Sequence, residues 1–398
     1  MNTRAYRLTV GNPSCAIPGF TNAHIQAAVD RCAFLGGGVV ELSAGTFRMA
    51  DSLHLRTGVT VRGQGRATVL LKNPMKSARI VSFLGYGHRD LEVDKPNLFK
   101  PGDGVLIRDT NAIGFYTTVA TLVRREGDVW ITNRPHHHDY LERSGGVVET
   151  LFPIVSAEGI ADAVLEGVRL EGNLKRNPVT ANGCRACGFH ALNAHRITVR
   201  NVTVRDYNGD GFGFQTCDDF TAEGCVVESC TGNGFHPGSG SNRFHMKNCI
   251  ARHNRGCGLF YCLRVRHGLL EDSLFEKNGS FGISVGERDT DSVNRNLTIR
   301  LNGGAGVYIR PCNKANAAHR TLIEGCTLDR NCAGKKDADA EIVLQGETEG
   351  LRVIGNTIRG RPGKPGLLIR PGTPPVDLRD NHVIPSGKNA IVERRSAF

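Results

Sequence analysis

Aromatic residues are scarce in this 398-residue sequence, at 6% of the chain, and there is a single tryptophan. No run of about 18 apolar residues is present, which excludes a transmembrane helix. The first thirty residues lack the basic and apolar segments of a secretory leader. Charged residues (22%) and hydrophobic residues (39%) are near globular averages, which excludes disorder. We therefore expect a globular protein that stays inside the cell, or one whose leader has been removed.

The thirteen cysteines form no compact disulfide framework, because their number is odd and their spacing irregular. Cys225, Cys249 and Cys326 stand in equivalent phrases of the sequence, which predicts a column of small buried side chains. Cys184 and Cys187 form a C-x-x-C motif without a second pair, which argues against zinc. Reduced thiols favour a cytoplasmic-type environment.

Glycine is abundant, at 49 of 398 residues, about 12% against roughly 7% in ordinary proteins. Many of these glycines open an alternating apolar run and recur every 23 or 24 residues, at Gly188, Gly211, Gly234, Gly258, Gly282 and Gly306. Asn254, Asn278 and Asn302 recur four residues before their glycines, as expected of a stacked asparagine ladder. Such a fixed period identifies a repeat architecture.

A period of about 24 residues is too short for paired helices, and the sequence lacks the consensus of leucine-rich repeats. It predicts a parallel β-solenoid of three short strands per coil. Residues 20–36 differ in kind, because Ile25, Val29 and Cys32 follow helical spacing; we expect an amino-terminal helix that caps the solenoid. Residues 84–153 break the period and predict an inserted β subdomain, and residues 333–398 predict looser carboxy-terminal coils.

The amino-terminal sequence resembles the signature of the pectate-lyase-like superfamily. The resemblance rests on the phrases at residues 25–30, 36–42, 45–47 and 61–65, and the later coils extend it over nearly the whole chain. It implies a single all-β domain of residues 1–398, a right-handed, single-stranded parallel β-helix with an amino-terminal capping helix. The superfamily includes pectate lyases, polygalacturonases, alginate epimerases and phage tailspikes, so the resemblance specifies the fold more closely than the reaction.

Period-two alternation places a row of polar and aromatic side chains on the outer face of one sheet. His236 is our candidate catalytic base, because histidine titrates near neutral pH. Tyr308 is a candidate acid or a platform for a sugar ring. Candidate substrate-binding residues are Arg264, Arg266, Arg310, Gln215, His190 and Phe260. The arginines are suited to bidentate binding of a sugar carboxylate.

Two carboxylates, Glu287 and Asp218, are candidates for the acid and the base or nucleophile of a glycoside hydrolase. The aspartate pattern of polygalacturonases is incomplete here, because Asp210 has no neighbouring aspartate in its turn. No metal or other cofactor is expected. Ca²⁺ is compatible with the fold, but the carboxylate cluster of classical pectate lyases is not recognisable, and the three consecutive residues His136–His138 are poorly placed to converge on one ion.

The net charge of +11 favours an anionic partner. An acidic polysaccharide fits the solenoid face better than nucleic acid, because no nucleic-acid-binding motif is present. We expect no membrane partner, and a monomer or a homotrimer. The leading hypothesis is a polysaccharide lyase that cleaves a uronate-containing glycan by β-elimination. A glycoside hydrolase, a C5-epimerase and a non-catalytic glycan-binding β-helix are the alternatives.

Overall fold

The structure, a computed structural model, describes residues 6–334, 339–384 and 390–393. Its one α-helix within these residues is α1 (Asn22–Phe34), and short 3₁₀ helices cover Gly65–Ala67, Pro96–Leu98, Gly114–Tyr116, Glu142–Ser144, Leu174–Arg176 and Lys314–Asn316. The strands of the first half are β1 (Tyr6–Gly11), β2 (Ile17–Pro18), β3 (Gly38–Leu42), β4 (Gly45–Met49), β5 (Leu53–His54), β6 (Val59–Arg62), β7 (Thr68–Lys72), β8 (Ser77–Arg79), β9 (Asp90–Glu92), β10 (Gly104–Arg108), β11 (Thr118–Glu126), β12 (Val129–Thr132), β13 (Val147–Glu149), β14 (Val155–Glu158), β15 (Val164–Glu166), β16 (Arg169–Glu171), β17 (Cys187–Leu192), β18 (Thr198–Arg200), β19 (Thr203–Arg205) and β20 (Asp210–Gln215).

The strands of the second half are β21 (Thr221–Glu223), β22 (Val226–Glu228), β23 (Phe235–Gly238), β24 (His245–Lys247), β25 (Ile250–Arg252), β26 (Leu259–Phe260), β27 (Leu269–Glu271), β28 (Leu274–Glu276), β29 (Ile283–Val285), β30 (Val293–Arg295), β31 (Thr298–Arg300), β32 (Val307–Ile309), β33 (Leu322–Glu324), β34 (Thr327–Asp329), β35 (Ile342–Leu344), β36 (Arg352–Ile354), β37 (Thr357–Arg359), β38 (Leu367–Ile369), β39 (His382–Ile384) and β40 (Ile391–Glu393). The chain divides into two compact units. Unit 1 comprises Met1–Glu158, Glu166–His190 and Val204–Gly213, and unit 2 comprises Gly159–Leu165, Ala191–Thr203 and Phe214–Phe398.

Unit 2 is a solenoid in which parallel strands stack into three sheets. The sheets follow the strand orders β18-β21-β24-β27-β30-β33-β36, β22-β25-β28-β31-β34-β37-β39 and β23-β26-β29-β32-β35-β38-β40. Thr221, His245 and Leu269 are paired in register at intervals of 24 residues, which confirms the repeat. Within a strand the middle residue points into the core, as Met246 and Leu270 do, both fully buried.

The predicted asparagine ladder is present in unit 2. Nδ2 of Asn254 donates to Oδ1 of Asn278 (3.0 Å), and Nδ2 of Asn278 donates to Oδ1 of Asn302 (3.0 Å). The ladder continues through Asn331 and ends on the carboxyl group of Glu341. Each buried amide therefore satisfies the amide of the neighbouring coil, and burial of these polar groups carries no penalty for missing hydrogen bonds.

The predicted cysteine column is buried as well. Cys225, Cys249 and Cys326 are at most 1% exposed, and burial raises the pKa of the Cys225 thiol. None of the thirteen cysteines, all of which lie in described parts of the chain, forms a disulfide.

Unit 1 contains the helix, and α1 buries Ile25, Val29 and Cys32, the residues from which it was predicted. The sheet begins earlier than the sequence indicates: β1 precedes α1 and pairs in parallel with β3, from Tyr6 opposite Gly38 to Val10 opposite Leu42. This strand lies outside the repeat and was missed, because its partner follows only after the helix. Shorter stacks, β2-β1-β3-β6, β4-β7-β16 and β5-β14, complete the parallel part of unit 1.

Between Ser77 and Glu149, unit 1 also holds a six-stranded antiparallel sheet of order β8-β13-β10-β11-β12-β9. It lies within the segment where the period of the sequence breaks. Its own apolar cluster includes Trp130 and Tyr140, which are 2% and 0% exposed. The carboxy-terminal strands β35 to β40 remain parallel and in register with the preceding coils, as in the pairing of Ile342 with Leu367. Residues 335–338, 385–389 and 394–398, part of the segment predicted to be looser, lie outside the described residues.

Replacement of Asn278 by alanine tests the ladder. The change removes the acceptor of both the backbone N–H and the side-chain Nδ2 of Asn254, which are buried. A buried donor without a partner costs about 1–3 kcal/mol, so we expect the free energy of unfolding to fall by at least about 2 kcal/mol in urea denaturation. Asn316→Ala, at an exposed position of the same unit, is the control, with an expected change within about 0.5 kcal/mol. Equal effects of the two substitutions would contradict a stabilising role of the ladder.

Candidate functional site

Nine of the ten predicted site residues belong to unit 2, and His190 belongs to unit 1, where it is 5% exposed. The nine residues fall into different places on unit 2. His236, Phe260, Tyr308, Arg310 and Gln215 lie on or beside one sheet. Asp218, Arg264, Arg266 and Glu287 lie at the bends that follow this sheet.

The sheet face carries one residue per coil in register. His236 on β23, Phe260 on β26, Ser284 on β29 and Tyr308 on β32 occupy corresponding positions. Because neighbouring strands are about 4.8 Å apart, His236 and Tyr308 are separated by about 14 Å along the stack. Tyr308 instead stacks on Phe281, with ring centroids 4.2 Å apart and an angle of 4° between the rings. His236 and Tyr308 are therefore too far apart to act on the same glycosidic bond.

The long side chain of Arg310 crosses two coils toward His236. Its Nη2 donates to the backbone carbonyl of Cys262 (3.0 Å), and its Cζ lies 4.6 Å from the centre of the Phe260 ring. Phe260 also meets the imidazole of His236 edge-on, at 5.5 Å between ring centres. We call His236, Phe260 and Arg310 the ring cluster, because the imidazole and the guanidinium contact the same aromatic ring.

Glycine at position 286 permits this path of the arginine. A methyl group on Gly286 would lie 2.7 Å from Cβ and 2.9 Å from Nε of Arg310, closer than real contacts allow. Gly238 is equally restricted, since a methyl group there would lie 2.6 Å from Oε1 of Gln215. Gln215 is fully buried, and both polar atoms of its amide lack a hydrogen-bond partner among the described residues. The two glycines thus make room for the longest polar side chains beside this sheet.

The sequence analysis did not place Asp289 in the site, but its buried carboxyl group holds Arg310. Its Oδ2 accepts hydrogen bonds from Nη2 of Arg310 (3.2 Å) and from the backbone N–H of Gly286 (3.0 Å). Oδ1 accepts from the backbone N–H of Val265 (3.0 Å). Burial raises the pKa of Asp289 to about 7, against the opposing effect of these donors. Position 289 lies three residues after Gly286, where a bend returns the side chain toward the sheet; the sequence carries no motif that marks this return.

The expected outer face is more enclosed than alternation alone predicts. His236 is 7% and Ser284 is 1% exposed, whereas Phe260 and Tyr308 are only half-buried. Nη1 of Arg310 donates to Oγ of Ser284 (3.0 Å), so the arginine itself covers the serine. Small side chains on this sheet are overlaid by long neighbours, an effect that a strand-by-strand reading of the sequence does not include.

A second feature, which we call the bend groove, lies where the chain turns after the sheet. It has a volume of about 850 Å³ and is lined by Thr216, Asp218, Ser239, Gly240, Asn242, Arg243, Arg264, Arg266 and His267. Three arginines face a single carboxylate here, so the groove is cationic. The carboxylate of Asp218 lies 3.5 Å from the imidazole of His195 and 3.8 Å from the guanidinium of Arg243.

Arg243 and His267 were missed by the sequence analysis, although a signal was available. Asp219, Arg243, His267 and Asp291 follow one another at intervals of 24 residues, and all have positive φ angles between 52° and 60°. They form one bend column, which the search for apolar strand phrases overlooked. Arg243 and Asp219 in this column form a bidentate ion pair of 2.7 and 3.0 Å.

Glu287 is an exposed bend residue with φ of 50°. Its backbone carbonyl accepts from the N–H of Arg264 (3.0 Å), and its own N–H donates to Sγ of Cys312 (3.4 Å). Neither contact involves its carboxylate. The two carboxylates proposed for a hydrolase are therefore in different environments: Asp218 is surrounded by cations and Glu287 faces solvent.

In the part of the chain that the structure describes, no group of three or more histidine, cysteine, aspartate or glutamate side chains is arranged to hold a metal ion. The three consecutive histidines do not converge: His136 is 1% exposed, and Nδ1 of His138 faces the backbone carbonyl of Asp139 at 2.8 Å. Burial lowers the pKa of His136 to about 4. No described helix has the length and apolarity needed to cross a membrane.

The stacked parallel sheets define a β-helix protein. The family model described as "Right handed beta helix region" matches residues 160–266 and 187–358, which together span half of the chain. The chain therefore belongs to the right-handed β-helix family. No curated protein matches it in sequence.

Solved structures share this fold at low sequence identity. The A-module of a mannuronan C-5 epimerase from Azotobacter vinelandii is 18% identical, with a TM-score of 0.58 over 95% of this chain and 93% of that one. A polygalacturonase from Erwinia carotovora ssp. carotovora is 12% identical, with a TM-score of 0.55 over 98% and 97%. The Dettilon tailspike protein is 13% identical, with a TM-score of 0.59 over 92% of this chain and 60% of that one. At these identities the likeness shows the fold alone.

A change of Asp289 to asparagine tests the charge state of the carboxyl group beside Arg310. An unfolded aspartate has a pKa near 3.9, so between about pH 4 and pH 7 the folded state retains a proton that the unfolded state has lost. The wild-type free energy of unfolding should therefore fall as pH rises through this window, by up to about 1.4 kcal/mol per pH unit from this group. Asparagine does not titrate, so the stability difference between wild type and Asp289→Asn should shift toward the variant from pH 4 to pH 7. Urea denaturation at both values measures it, and a constant difference would contradict the raised pKa.

Proposed function

We propose that unit 2 is an enzyme acting on a uronate-containing polysaccharide, most specifically a lyase that cleaves by β-elimination. The observation that carries the proposal is the ring cluster, in which an imidazole and a guanidinium contact one aromatic ring. These are the groups needed to neutralise a sugar carboxylate and to remove the proton next to it. The named substrates of two proteins of similar fold, mannuronan and polygalacturonate, are also polymers of uronic acids.

In the proposed reaction, Arg310 binds the C6 carboxylate of the substrate. A guanidinium has five N–H donors. Arg310 uses them for Ser284, Cys262 and Asp289, whereas its buried Nε lacks a partner among the described residues. Binding of the carboxylate to this cation acidifies the C5 proton, because negative charge that develops on the carboxylate is stabilised.

His236 is the proposed base that removes the C5 proton. It is the titratable residue nearest to Arg310 within the ring cluster, on the adjoining side of Phe260. The C4–O bond then breaks, a C4–C5 double bond forms, and solvent protonates the departing oxygen. Tyr308, three coils away, is assigned to a further sugar with its partner Phe281, because a flat aromatic pair is a suitable platform for a sugar ring.

The bend groove extends the proposed binding surface. Ser239 and Gly240, which line it, directly follow the last residue of β23, and Arg264 follows two residues after Cys262. A chain of uronates lying across the ring cluster would thus reach the cations Arg243, Arg264 and Arg266. Such a surface matches the net charge of +11 to a polyanionic partner.

The test uses the full chain with polymannuronate and polygalacturonate in D₂O. Ultraviolet absorbance reports the unsaturated product, NMR reports deuterium at C5, and a reducing-end assay reports cleavage. We expect all three signals on one substrate, and His236→Ala should lower the rate about 10²- to 10⁴-fold. The control is His253→Asn, an exposed bend histidine with φ of 56° that asparagine tolerates, and it should retain the wild-type rate.

Other outcomes would replace the proposal. Deuterium at C5 without cleavage would indicate a C5-epimerase, which shares the proton abstraction. Reducing ends without absorbance, lost in Glu287→Gln and retained in His236→Ala, would indicate a hydrolase. Binding without any chemical change would indicate a glycan-binding β-helix.

Arg310→Lys separates the role of the guanidinium from that of its charge. Lysine keeps the charge but loses the planar fork of donors, so we expect KM to rise and the rate at saturation to fall less than in His236→Ala. The same variant should show a weaker dependence on the substrate carboxylate when methyl-esterified polygalacturonate replaces the free acid. An unchanged KM would remove Arg310 from the substrate site.

A further inference from the structure

Unit 1 contains a group of three side chains that the proposed glycan chemistry does not use. Oγ of Ser156 lies 2.8 Å from Nδ1 of His54, and Nε2 of the same imidazole lies 3.5 Å from Oδ2 of Asp51. Ser156 and His54 are paired in register on β14 and β5, so their side chains leave the same face of the sheet. The order hydroxyl, imidazole, carboxylate is that of a serine hydrolase.

We propose that Ser156, His54 and Asp51 form a catalytic triad that hydrolyses short-chain carboxylic esters. The geometry identifies Ser156 as the nucleophile, His54 as the base that activates it, and Asp51 as the positioning residue that holds the imidazole. This site belongs to unit 1 alone and does not depend on the ring cluster of unit 2.

The surroundings of Asp51 orient its carboxylate toward the histidine. Asp51 is 6% exposed; its Oδ1 accepts from the backbone N–H of Ser52 (2.7 Å) and its Oδ2 accepts from Oγ1 of Thr121 (2.6 Å). Nε2 of His54 is buried and has no closer hydrogen-bond partner among the described residues. A proton on Nε2 directed at Asp51 leaves Nδ1 as the acceptor for the hydroxyl proton of Ser156.

The backbone of His54 is held by the capping helix. Oε1 of Gln26 accepts from the N–H of His54 (2.8 Å), and Nε2 of Gln26 donates to the carbonyl of His54 (3.0 Å). This two-point contact fixes the position of the base, because a side-chain amide that bonds both backbone groups of one residue limits its movement. An incidental serine–histidine pair on a sheet surface would need neither this support nor a buried carboxylate behind the ring.

The triad opens into a pocket of about 250 Å³, which we call the Ser156 pocket. It is lined by His54, Leu55, Arg56, Asn133, Arg134, Ser156 and Glu158. The volume is below the usual range for drug-sized ligands, so a short acyl group such as acetyl fits the site. The charged lining favours a polar alcohol, such as a sugar hydroxyl, as the other half of the ester.

Two residues of the pocket carry N–H groups that suit an oxyanion. Oδ1 of Asn133 accepts from the backbone N–H of Thr121 (2.9 Å), which leaves Nδ2 as the side of its amide available to a ligand. Arg134 pairs with Glu158 through Nη1 (2.7 and 2.9 Å), while its buried Nε donates to no described group. Such donors stabilise the negative charge that develops on an ester carbonyl during attack.

The reaction balances without any cofactor. Oγ of Ser156 attacks the carbonyl carbon as its proton passes to Nδ1 of His54. The C–O bond of the ester then breaks, and the departing alcohol takes the proton from His54. Water attacks the acyl-serine, again giving a proton to His54, which returns it to Oγ as the carboxylic acid leaves.

The test combines covalent labelling with turnover on the full chain. We expect a fluorophosphonate probe to label Ser156, identified by peptide mass spectrometry, and 4-nitrophenyl acetate to be hydrolysed. Ser156→Ala should abolish the label and lower the rate about 10²-fold or more. Ser144→Ala is the matched control, because the Ser144 hydroxyl in the same unit binds an asparagine side chain and no imidazole; both signals should remain.

Two further variants separate the triad from general imidazole catalysis and from misfolding. His54→Gln should behave as Ser156→Ala, whereas His88→Gln, at a largely exposed histidine of unit 1, should retain the rate. Asp51→Asn should lower the rate and move the midpoint of the pH–rate profile to lower pH, because a neighbouring carboxylate stabilises the imidazolium. A structural role of Asp51 would lower the rate without moving the midpoint. The proposal is overturned if the probe labels no residue or another serine, or if a folded Ser156→Ala variant, verified by its melting temperature, retains hydrolysis.

Discussion

Parallel strands in the solenoid of unit 2 pair in strict register, and the rest of its structure depends on this pairing. The backbone hydrogen bonds hold consecutive coils about 4.8 Å apart, so each side chain meets the equivalent side chain 24 residues away. A polar residue in the core therefore has to be satisfied by its own counterpart, as the asparagine amides are. A functional group on the outside is likewise confined to its own coil. Only a side chain long enough to cross a coil can join groups from different coils.

Arg310 shows how this confinement is overcome. Its guanidinium reaches the carbonyl of Cys262, two coils from its own backbone, because Gly286 leaves the intervening space open. The ring cluster thus depends on a residue without a side chain as much as on the residues that have one. Tyr308, in contrast, has a neighbour in its own layer, Phe281, and remains with it.

The features predictable from the sequence were those that repeat or that follow a local period. The 24-residue spacing gave the solenoid and the asparagine ladder, and the helical spacing of Ile25, Val29 and Cys32 gave α1. Strand β1 was not predictable in this way, since it pairs with residues beyond the helix. Nor was the path of Arg310, because it results from the shapes of neighbours in two other coils. The triad of unit 1 escaped notice for the same reason: Asp51 and His54 are more than 100 residues from Ser156 and lie outside the repeat.

The asparagine ladder has a direction. Every amide donates toward the carboxy-terminal coils, and the last one, Asn331, donates to the carboxyl group of Glu341, whose pKa burial raises to about 7. At the other end, the backbone N–H of Cys230 supplies the first donor to Asn254 (3.0 Å). A duplicated coil inserted between these ends would find a donor on one side and an acceptor on the other, whereas a coil added after Asn331 would displace the terminal acceptor. Lengthening by internal duplication is therefore chemically simpler for this solenoid than lengthening at its end.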